Sequence, residues 1–291
     1  MLFSGLYTAL ITPFQNDKID EVAFEKLIEF QIKNGVDGII PCGTTGESPT
    51  LTHGEHNLAI DLAVKIANKR VKVIAGTGSN STAEAIMTTS YAKKAGVDAA
   101  LVVAPYYNKP TAEGIYQHFK AINDNCDIPV IVYNIPGRSI VNISDENLAE
   151  LSKLKNIVGV KDATGDLARV ATLRLLVDKD FTIFSGDDTT AVGFNAMGGS
   201  GMISVAANIV PKLCSDLQKA TKNGDYKTAL EIQDQLTPLN LAMFSETNPI
   251  PVKYAASLMG ICQQEIRLPL TNPSAEVKTR IKNELVKLGM I

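Results

Sequence analysis

Eight short runs of apolar and β-branched residues recur between positions 6 and 205, and they constrain the fold more than any other feature of the sequence. Amphipathic stretches with helical spacing lie between most of them. Strands that alternate with helices pair in parallel through right-handed crossovers, so eight such units predict an α/β fold, a closed (β/α)8 barrel. An open doubly wound sheet is the alternative, and it fits eight units less well. The predicted strands are 6–12, 38–41, 71–75, 99–103, 130–133, 157–161, 181–185 and 201–205.

The pattern changes after Gly224. Helical stretches before this point alternate with strands, whereas the three that come later have no strand-like run among them. The sequence therefore predicts a (β/α)8 TIM-barrel domain over residues 1–224 and a C-terminal helical extension over residues 225–291. The predicted helices are 21–34, 55–67, 83–95, 114–125 and 167–177 in the barrel, and 225–244, 251–259 and 274–288 in the extension.

Composition narrows the class of protein. A hydrophobic fraction of 45% and a charged fraction of 20% are typical of a globular protein. The net charge of −3 provides no basic surface for nucleic acid or for an anionic membrane. The first residues lack the basic segment of a signal peptide, and no apolar run is long enough to span a bilayer, so the predicted location is the cytoplasm. The cysteines have no metal-type spacing, and we expect reduced, inert thiols at Cys42, Cys126, Cys214 and Cys262.

Lys161 ends the sixth predicted strand, and the carboxyl ends of the strands are where a barrel carries its catalytic groups. Apolar surroundings at such a position favour the neutral amine over the ammonium ion. A neutral lysine can attack a carbonyl carbon and form a Schiff base. Taken alone, Lys161 fits the ordinary alternative better, in which a strand-end lysine reaches solvent with its ammonium group.

Further polar groups follow the other predicted strands. Residues 43–47 (GTTGE) suit a carboxylate or phosphate, because glycines let backbone N–H groups approach a ligand and threonines add hydroxyl donors. Tyr106 and Tyr107 follow the fourth strand, and Tyr133 ends the fifth. A tyrosine held near a reacting group can exchange protons with it. Arg138, shortly after Tyr133, is suited to bind a carboxylate through two parallel hydrogen bonds.

Each of these features also has an ordinary interpretation. Glycine–threonine turns without function are common, adjacent tyrosines can pack against a helix, and an arginine in a loop can simply be solvated. The run SGDD at 185–188 is typical of a helix N-cap, and its two carboxylates lack the further ligands of a metal site. In combination, however, an amine, a phenol, hydroxyls and an arginine on successive strand ends indicate carbonyl chemistry on an acidic substrate through an imine.

The motifs at 43–47 (GTTGE), 133–138 (YNIPGR) and 160–165 (VKDATG) resemble those of the dihydrodipicolinate synthase family. This family belongs to the class I pyruvate-dependent aldolases and lyases. The resemblance covers essentially the whole chain, including 248–253 (NPIPVK) and 268–269. It implies condensation of pyruvate with L-aspartate 4-semialdehyde to give 4-hydroxy-tetrahydrodipicolinate in lysine and diaminopimelate biosynthesis, without a metal or an organic cofactor.

The resemblance also implies a role for each candidate residue. Lys161 would form the Schiff base with pyruvate, and Tyr133 would exchange protons during imine formation and cyclisation. Thr44 would relay protons between Tyr133 and Tyr107, which would reach in from a neighbouring subunit of a homotetramer, a dimer of dimers. Thr45 would hold the pyruvate carboxylate and Arg138 that of the semialdehyde. Gly186 and Ile203 would line the site through their backbone groups.

A second site follows from the same resemblance. In family members that lysine inhibits, matching positions bind lysine at the dimer interface. Glu84 would pair with the lysine ammonium group, and Tyr106 and Asn80 would hold its carboxylate. Pro49 departs from the small residue expected at that position. The alternative for the histidines is a helix start with surface side chains. The six residues of the predicted lysine site are Ser48, His53, His56, Asn80, Glu84 and Tyr106.

Three rival functions remain open from the sequence. An N-acetylneuraminate lyase or sugar-acid aldolase of the same superfamily would share Lys161 and Tyr133, but such lyases typically lack an arginine at the position of Arg138. A pyridoxal phosphate enzyme would use Lys161 as the imine lysine and residues 76–80 as a phosphate-binding turn. A non-catalytic barrel would bind a ligand and perform no reaction.

Overall fold

The computed structural model describes residues 2–291, and Met1 lies outside the described residues. Eight of the strands in this part of the chain are parallel and form a closed barrel, which confirms the predicted fold. The strands in residues 2–291 are β1 (Gly5–Ala9), β2 (Phe14–Gln15), β3 (Lys18–Ile19), β4 (Gly38–Ile40), β5 (Lys72–Gly76), β6 (Ala99–Val103), β7 (Val130–Asn134), β8 (Ile157–Asp162), β9 (Thr182–Ser185) and β10 (Gly201–Ser204). Around the barrel their order is β1-β10-β9-β8-β7-β6-β5-β4, and β2 and β3 form a separate antiparallel hairpin.

The connections between the strands are helical. Three short 3₁₀ helices cover Ser48–Thr50, Asp188–Thr190 and Ala206–Asn208 in the described part of the chain. The α-helices of the same part are α1 (Glu21–Lys33), α2 (His53–Ala67), α3 (Thr82–Ala95), α4 (Ala112–Asn125), α5 (Pro136–Ser139), α6 (Asp145–Ser152), α7 (Ala168–Leu176), α8 (Ala191–Ala196), α9 (Pro211–Lys222), α10 (Tyr226–Met243), α11 (Ile250–Leu258) and α12 (Ala275–Lys287).

A side chain caps the N-terminus of more than half of the α-helices in the described part of the chain. At α2, Thr52 accepts a hydrogen bond from the Glu55 N–H while the Glu55 carboxylate accepts one from the Thr52 N–H, which is a capping box. Such caps satisfy backbone N–H groups that the first turn leaves without a helical acceptor, and they fix where the helix begins. The capping residues are Asp20, Thr52, Ser81, Thr111, Ser144, Asp225 and Ser274.

The first of two compact units contains the segment that ends at Gly5 and Ile74–Ile203. Strands β6 to β9 pair in parallel here, with Tyr133 of β7 opposite Lys161 of β8. Gly159 allows β8 and β9 to approach closely, because a Cβ at this position would lie 2.6 Å from the Thr182 carbonyl oxygen. Helices α3, α4, α6 and α7 pack on one another in sequence order. The register of these strands therefore places an amine beside a phenol at their carboxyl ends.

The second compact unit contains Leu6–Val73 and Ser204–Ile291. Strand β1 pairs with β4, α1 packs on α2, and α10 packs on α9, α11 and α12. The buried residues Val277, Ile281 and Leu285 of α12 recur every four positions, so one face of this helix covers its neighbours. The C-terminal helices predicted after the barrel are therefore confirmed. The predicted domain boundary at residue 224 stays a prediction.

The first strand is shorter than predicted. It ends at Ala9 rather than at residue 12. The Leu10 N–H still donates to the Ile40 carbonyl at 3.0 Å, but the Ile11 N–H donates to Asn208 Oδ1 at 3.0 Å instead of to a strand. The buried side-chain amide of Asn208 thus takes the place of a neighbouring strand, and the pairing of β1 ends there. The prediction extended further because Leu10 and Ile11 are as apolar as the strand itself.

Several short elements were not predicted at all. They are the hairpin of β2 and β3 and the helices α5, α6 and α8. Helix α6 has only eight residues, which is too few for a helical period to stand out against neighbouring polar residues. No helix in the described part of the chain is long and apolar enough to cross a membrane.

Candidate active site

Lys161 is buried at the centre of the first compact unit's strands. It lies in β8 between Tyr133 of β7 and Phe184 of β9, and only 5% of its surface is exposed. Its Nζ is 4.2 Å from the centroid of the Tyr133 ring. The pKa of the amine is lowered to about 8: burial is the main cause, the Asp188 carboxylate acts in the opposite direction, and the charge of Arg138 adds to the lowering. About one amine in ten is then neutral at pH 7, against about one in 2500 for an exposed lysine.

Gly186 provides the space that the lysine side chain occupies. A Cβ at this position would lie 3.0 Å from Lys161 Cε and 2.8 Å from Ala163 Cβ. The Gly186 N–H donates to the Asp162 carbonyl oxygen at 2.6 Å. The strand ends are thus held so close together that a side chain at position 186 would displace the lysine.

Polar residues fix the strand ends that carry the amine and the phenol. Asp162, next to Lys161, accepts hydrogen bonds from the Thr164 N–H at 2.9 Å and from its hydroxyl at 2.5 Å. Asn134 follows the tyrosine of β7 and accepts a hydrogen bond from the Ile143 N–H at 3.1 Å. Both Asp162 and Asn134 are buried. Hydrogen-bonded buried side chains of this kind limit the movement of the reactive groups beside them.

Asp188 is a charged group near the amine that the sequence analysis did not assign. The predicted cap is confirmed at Asp187, which accepts hydrogen bonds from the Thr189 N–H at 2.8 Å and from its hydroxyl at 2.6 Å. Asp188 itself is 2% exposed, and its negative charge favours the ammonium form of Lys161. The sequence contained no signal that separated this carboxylate from its capping neighbour.

Two further candidates of the first unit lie at the surface. Arg138 lies on α5, directly after β7, and it is exposed while acting electrostatically on Lys161. Tyr107 is 89% exposed and has a φ of +69°, a left-handed conformation that is uncommon for an aromatic residue. Strained loop residues concentrate where a protein meets a ligand or another chain. Whether Tyr107 reaches a neighbouring subunit stays a prediction.

Ile203 is fully buried in β10.

The GTTGE loop lies in the second unit and forms a tight turn. The Gly46 N–H donates to the Gly43 carbonyl at 3.0 Å, and the Glu47 N–H to the Thr44 carbonyl at 3.1 Å. Thr45 is buried, and its hydroxyl oxygen accepts a hydrogen bond from the Asn248 side-chain amide at 3.0 Å. A hydroxyl that accepts in this way keeps its own proton available for donation. Thr45 is therefore prepared to donate to an anion such as a carboxylate.

The last residue of this loop, Glu47, forms a buried ion pair that was not predicted from the sequence. Lys253 Nζ is 2.5 Å from Glu47 Oε1, and both side chains are at most 2% exposed. The Arg267 N–H donates to the other carboxylate oxygen at 3.1 Å. The Phe14 ring lies beneath both cations, with its centroid 4.0 Å from Lys253 Nζ and 4.2 Å from Arg267 Cζ. The feature of the sequence that could have indicated this pair is Lys253, a lysine that follows the mainly apolar residues 249–252.

The six residues of the predicted lysine site are divided between the two units: Ser48, His53 and His56 belong to the second, and Asn80, Glu84 and Tyr106 to the first. His53 begins α2 and is exposed, whereas His56 is buried, so the alternative of surface histidines holds for His53 alone. In the first unit, the Glu84 carboxylate accepts a hydrogen bond from the Ser79 hydroxyl, and the Asn80 carbonyl accepts one from the Asn108 amide at 2.8 Å. Among residues 2–291, no cluster of His, Cys, Asp and Glu has the arrangement of a metal site. The grouping of these residues into one lysine site stays a prediction.

Comparison with known proteins identifies the family of the chain. The model of the dihydrodipicolinate synthetase family matches residues 2–288. A 4-hydroxy-tetrahydrodipicolinate synthase from Parvibaculum lavamentivorans is 56% identical over 290 residues and covers 100% of both chains.

Solved structures of dihydrodipicolinate synthases share this fold over nearly the full chain. The chloride-inhibited dihydrodipicolinate synthase from Acinetobacter baumannii, complexed with pyruvate, has a TM-score of 0.97 at 43% identity and covers 99% of both chains. The enzyme from Cyanidioschyzon merolae with lysine bound has a TM-score of 0.97 at 36% identity, over 100% of this chain and 99% of that one. A monomeric dihydrodipicolinate synthase variant reaches 0.98 at 39% identity, over 100% and 98%. Because the family model matches residues 2–288 and a 56% identical relative covers the full length, the chain belongs to the dihydrodipicolinate synthetase family.

Proposed function

We propose that this protein condenses pyruvate with L-aspartate 4-semialdehyde to give 4-hydroxy-tetrahydrodipicolinate and water. The observation that carries the proposal is the buried Lys161 amine beside Tyr133, with its pKa lowered to about 8. A depressed pKa supplies the neutral amine that imine formation requires at neutral pH. Membership of the family and the name of its relatives support the same reaction.

The proposed reaction begins with attack of Lys161 Nζ on the ketone carbon of pyruvate, and loss of water leaves an imine. Removal of a proton from the methyl group gives an enamine, whose carbon attacks the aldehyde of the second substrate. The amino group of that substrate then attacks the imine carbon, closes the ring and releases the lysine. Each stage moves a proton, which is the role we propose for Tyr133 with Thr44 and Tyr107 as its relay.

One hydroxyl group and one guanidinium group are proposed to bind the carboxylates of the two substrates. Thr45, whose hydroxyl is oriented by Asn248, is proposed to bind the carboxylate of pyruvate. Arg138 is proposed to bind the carboxylate of the semialdehyde, because an exposed guanidinium can form two parallel hydrogen bonds to it. Backbone groups of Gly186 and Ile203 complete the proposed site.

Trapping the imine tests the proposed reaction. The protein is treated with pyruvate and borohydride, digested and mapped by mass spectrometry, and we expect a pyruvate-derived adduct on Lys161. An adduct on another lysine, or none, would contradict the mechanism. Cleavage of N-acetylneuraminate would instead favour the sugar-acid lyase alternative, and near-visible absorbance of the purified protein would favour pyridoxal phosphate.

The role of Arg138 has its own test. Replacing it with alanine removes a charged hydrogen-bonding partner, which typically costs about 2–3 kcal/mol, or roughly 50-fold in kcat/KM. We expect this loss for the semialdehyde and a much smaller effect on pyruvate trapping. Arg174, which lies on α7 and donates to the Met197 carbonyl, provides a control substitution that should change neither quantity. Equal damage to both substrates would contradict the assignment.

We further propose feedback inhibition by lysine, bound by the six residues named above. A related enzyme has been solved with lysine bound, which supports the proposal. Millimolar lysine should lower initial rates at subsaturating pyruvate, and Glu84→Gln should weaken that inhibition by removing the charge opposite the ammonium group. Unchanged rates in wild-type protein would rule out the inhibition, and Pro49 would be the first position to examine.

The proposed assembly is a homotetramer in the cytoplasm. It is supported by the exposure of Tyr107, which the proposed proton relay needs from a second subunit. Sedimentation equilibrium at several concentrations should give the mass of four chains. A monomer that remains fully active would contradict the intersubunit role of Tyr107, and the monomeric relative makes this outcome worth measuring.

A further inference from the structure

The ion pair of Lys253 with Glu47 is almost completely buried. Both side chains are at most 2% exposed, and Lys253 is among the largest fully buried side chains. Removing two charges from water is unfavourable unless further contacts compensate for the lost hydration. Here the Arg267 N–H binds the carboxylate and the Phe14 ring faces the ammonium group, so both ions have a second partner.

The conformation of the loop depends on this carboxylate. Glu47 has a φ of +56°, in the left-handed region that is unfavourable for residues other than glycine and asparagine. Lys253 contacts one carboxylate oxygen and the Arg267 N–H contacts the other, so the side chain is held at both atoms. The Glu47 carbonyl also accepts the Thr50 hydroxyl at 3.1 Å. These contacts can maintain a backbone conformation that the residue alone would leave.

The same short segment also reaches Thr45. Asn248 donates to the Thr45 hydroxyl at 3.0 Å, and Lys253 lies five residues later in α11. Thr45 and Glu47 are separated by Gly46, whose carbonyl accepts the Thr12 hydroxyl at 2.8 Å. Residues 248–253 therefore contact the loop at two positions, once through a hydroxyl and once through a carboxylate.

We propose that Lys253 is a positioning residue for pyruvate: through Glu47 it holds residues 43–47 in the conformation that presents the Thr45 hydroxyl to the substrate carboxylate. The inference rests on the proposed function, in which Thr45 binds that carboxylate. Lys253 itself touches no reacting atom in this proposal, and its effect is confined to the binding of the first substrate. A pair that served only folding would affect stability and leave substrate binding unchanged.

The experiment compares Lys253→Met with the neutral double variant Glu47→Gln/Lys253→Met. Borohydride trapping on Lys161 measures the pyruvate concentration that gives half-maximal labelling, which is called half-saturating pyruvate below. The same variants are compared in kcat, in the KM for the semialdehyde and in the midpoint of thermal unfolding. We expect Lys253→Met to raise half-saturating pyruvate about tenfold or more, because small displacements of a binding group have large effects, and to change the other KM less than threefold. The double variant leaves no unpaired buried charge, so it should regain thermal stability without regaining pyruvate binding.

Lys212→Met is the matched control. Lys212 forms an exposed ion pair with Asp216 on α9, and its loss should change neither pyruvate binding nor stability appreciably. If Lys253→Met does not fold, the double variant makes the same comparison. Half-saturating pyruvate within twofold of wild type in a folded variant would overturn the positioning role and leave the proposed function intact. Absence of a Lys161 adduct in the wild-type protein would instead refute the proposed function, and the inference about pyruvate with it.

Discussion

At the scale of single residues, two lysines in this protein are buried with opposite consequences. Lys161 has no carboxylate in hydrogen-bond contact among the described residues, and burial lowers its pKa to about 8. Burial also lowers the pKa of Lys253, but Glu47 in direct contact opposes that shift. The first arrangement favours a nucleophile, and the second favours a permanent charge that holds a neighbouring loop.

Replacing Lys161 with methionine should stabilise the protein. The pKa of the amine is about 8 when folded and about 10.4 when unfolded, so the unfolded chain binds more protons between these values. Stability therefore rises with pH through this window, and the full penalty is present below pH 8. We expect Lys161→Met to gain roughly 3 kcal/mol at pH 7 and about 1 kcal/mol at pH 9.5. Urea unfolding at both pH values measures the difference.

The matched comparison is Lys253→Met, which breaks an ion pair and should lose stability at both pH values. A gain for Lys161→Met that does not shrink as pH rises would show that packing, rather than protonation, is responsible. No gain at either pH would contradict the lowered pKa.

At the scale of elements, Arg267 joins three segments of the second unit. Its guanidinium donates to Asp17 in the β2–β3 turn at 2.8 Å, to the Thr50 carbonyl at 2.9 Å and to Glu55 of α2 at 2.9 Å. These contacts connect the hairpin, a 3₁₀ turn and the start of a helix through one guanidinium group. One side chain thus orders loops that hydrophobic packing alone would leave loosely defined.

Replacing Arg267 with alanine should destabilise the protein in a pH-dependent manner. Hydrogen bonding to Arg267 lowers the pKa of Glu55 to about 2, so its contribution is complete above pH 4.5 and is lost as pH falls through 2. We expect a loss of about 2 kcal/mol at pH 7, reduced because Glu55 is partly exposed to solvent. The gap between wild type and variant should narrow between pH 5 and pH 3 in denaturant titrations. A constant gap would indicate that the ion pair contributes little.

At the scale of the whole molecule, the C-terminal helices share a compact unit with the beginning of the chain. Ser204–Ile291 and Leu6–Val73 belong together, and Lys253 and Arg267 both contact Glu47. The boundary at residue 224 was predicted because no strand-like run follows it in the sequence. It does not by itself imply that the two segments are stable apart.

A chain that ends at Gly224 should therefore fail to unfold cooperatively. It would lose Lys253, Arg267 and helices α10, α11 and α12, of which α10 packs on α9. The Glu47 carboxylate would then be left buried without its partner. Circular dichroism during heating should show a broad transition or none, whereas the full chain should show a single sharp one. A truncated chain with an unchanged midpoint would support residues 1–224 as an independent domain.

Sequence patterns alone predicted the barrel, its eight strand positions within a few residues, the C-terminal helices, and Lys161, Tyr133 and Arg138 as candidate site residues. These predictions succeed because the hydrophobic periodicity of strands and helices depends on neighbouring residues in the sequence. In a barrel, moreover, the functional residues lie at the carboxyl ends of the strands. Three features follow from the three-dimensional packing instead: the end of β1, the burial of Asp188 and the Glu47–Lys253 pair. Each depends on residues far apart in the chain, such as Asn208 for Ile11 and Lys253 for Glu47, and no local pattern records which distant side chain will meet a buried charge.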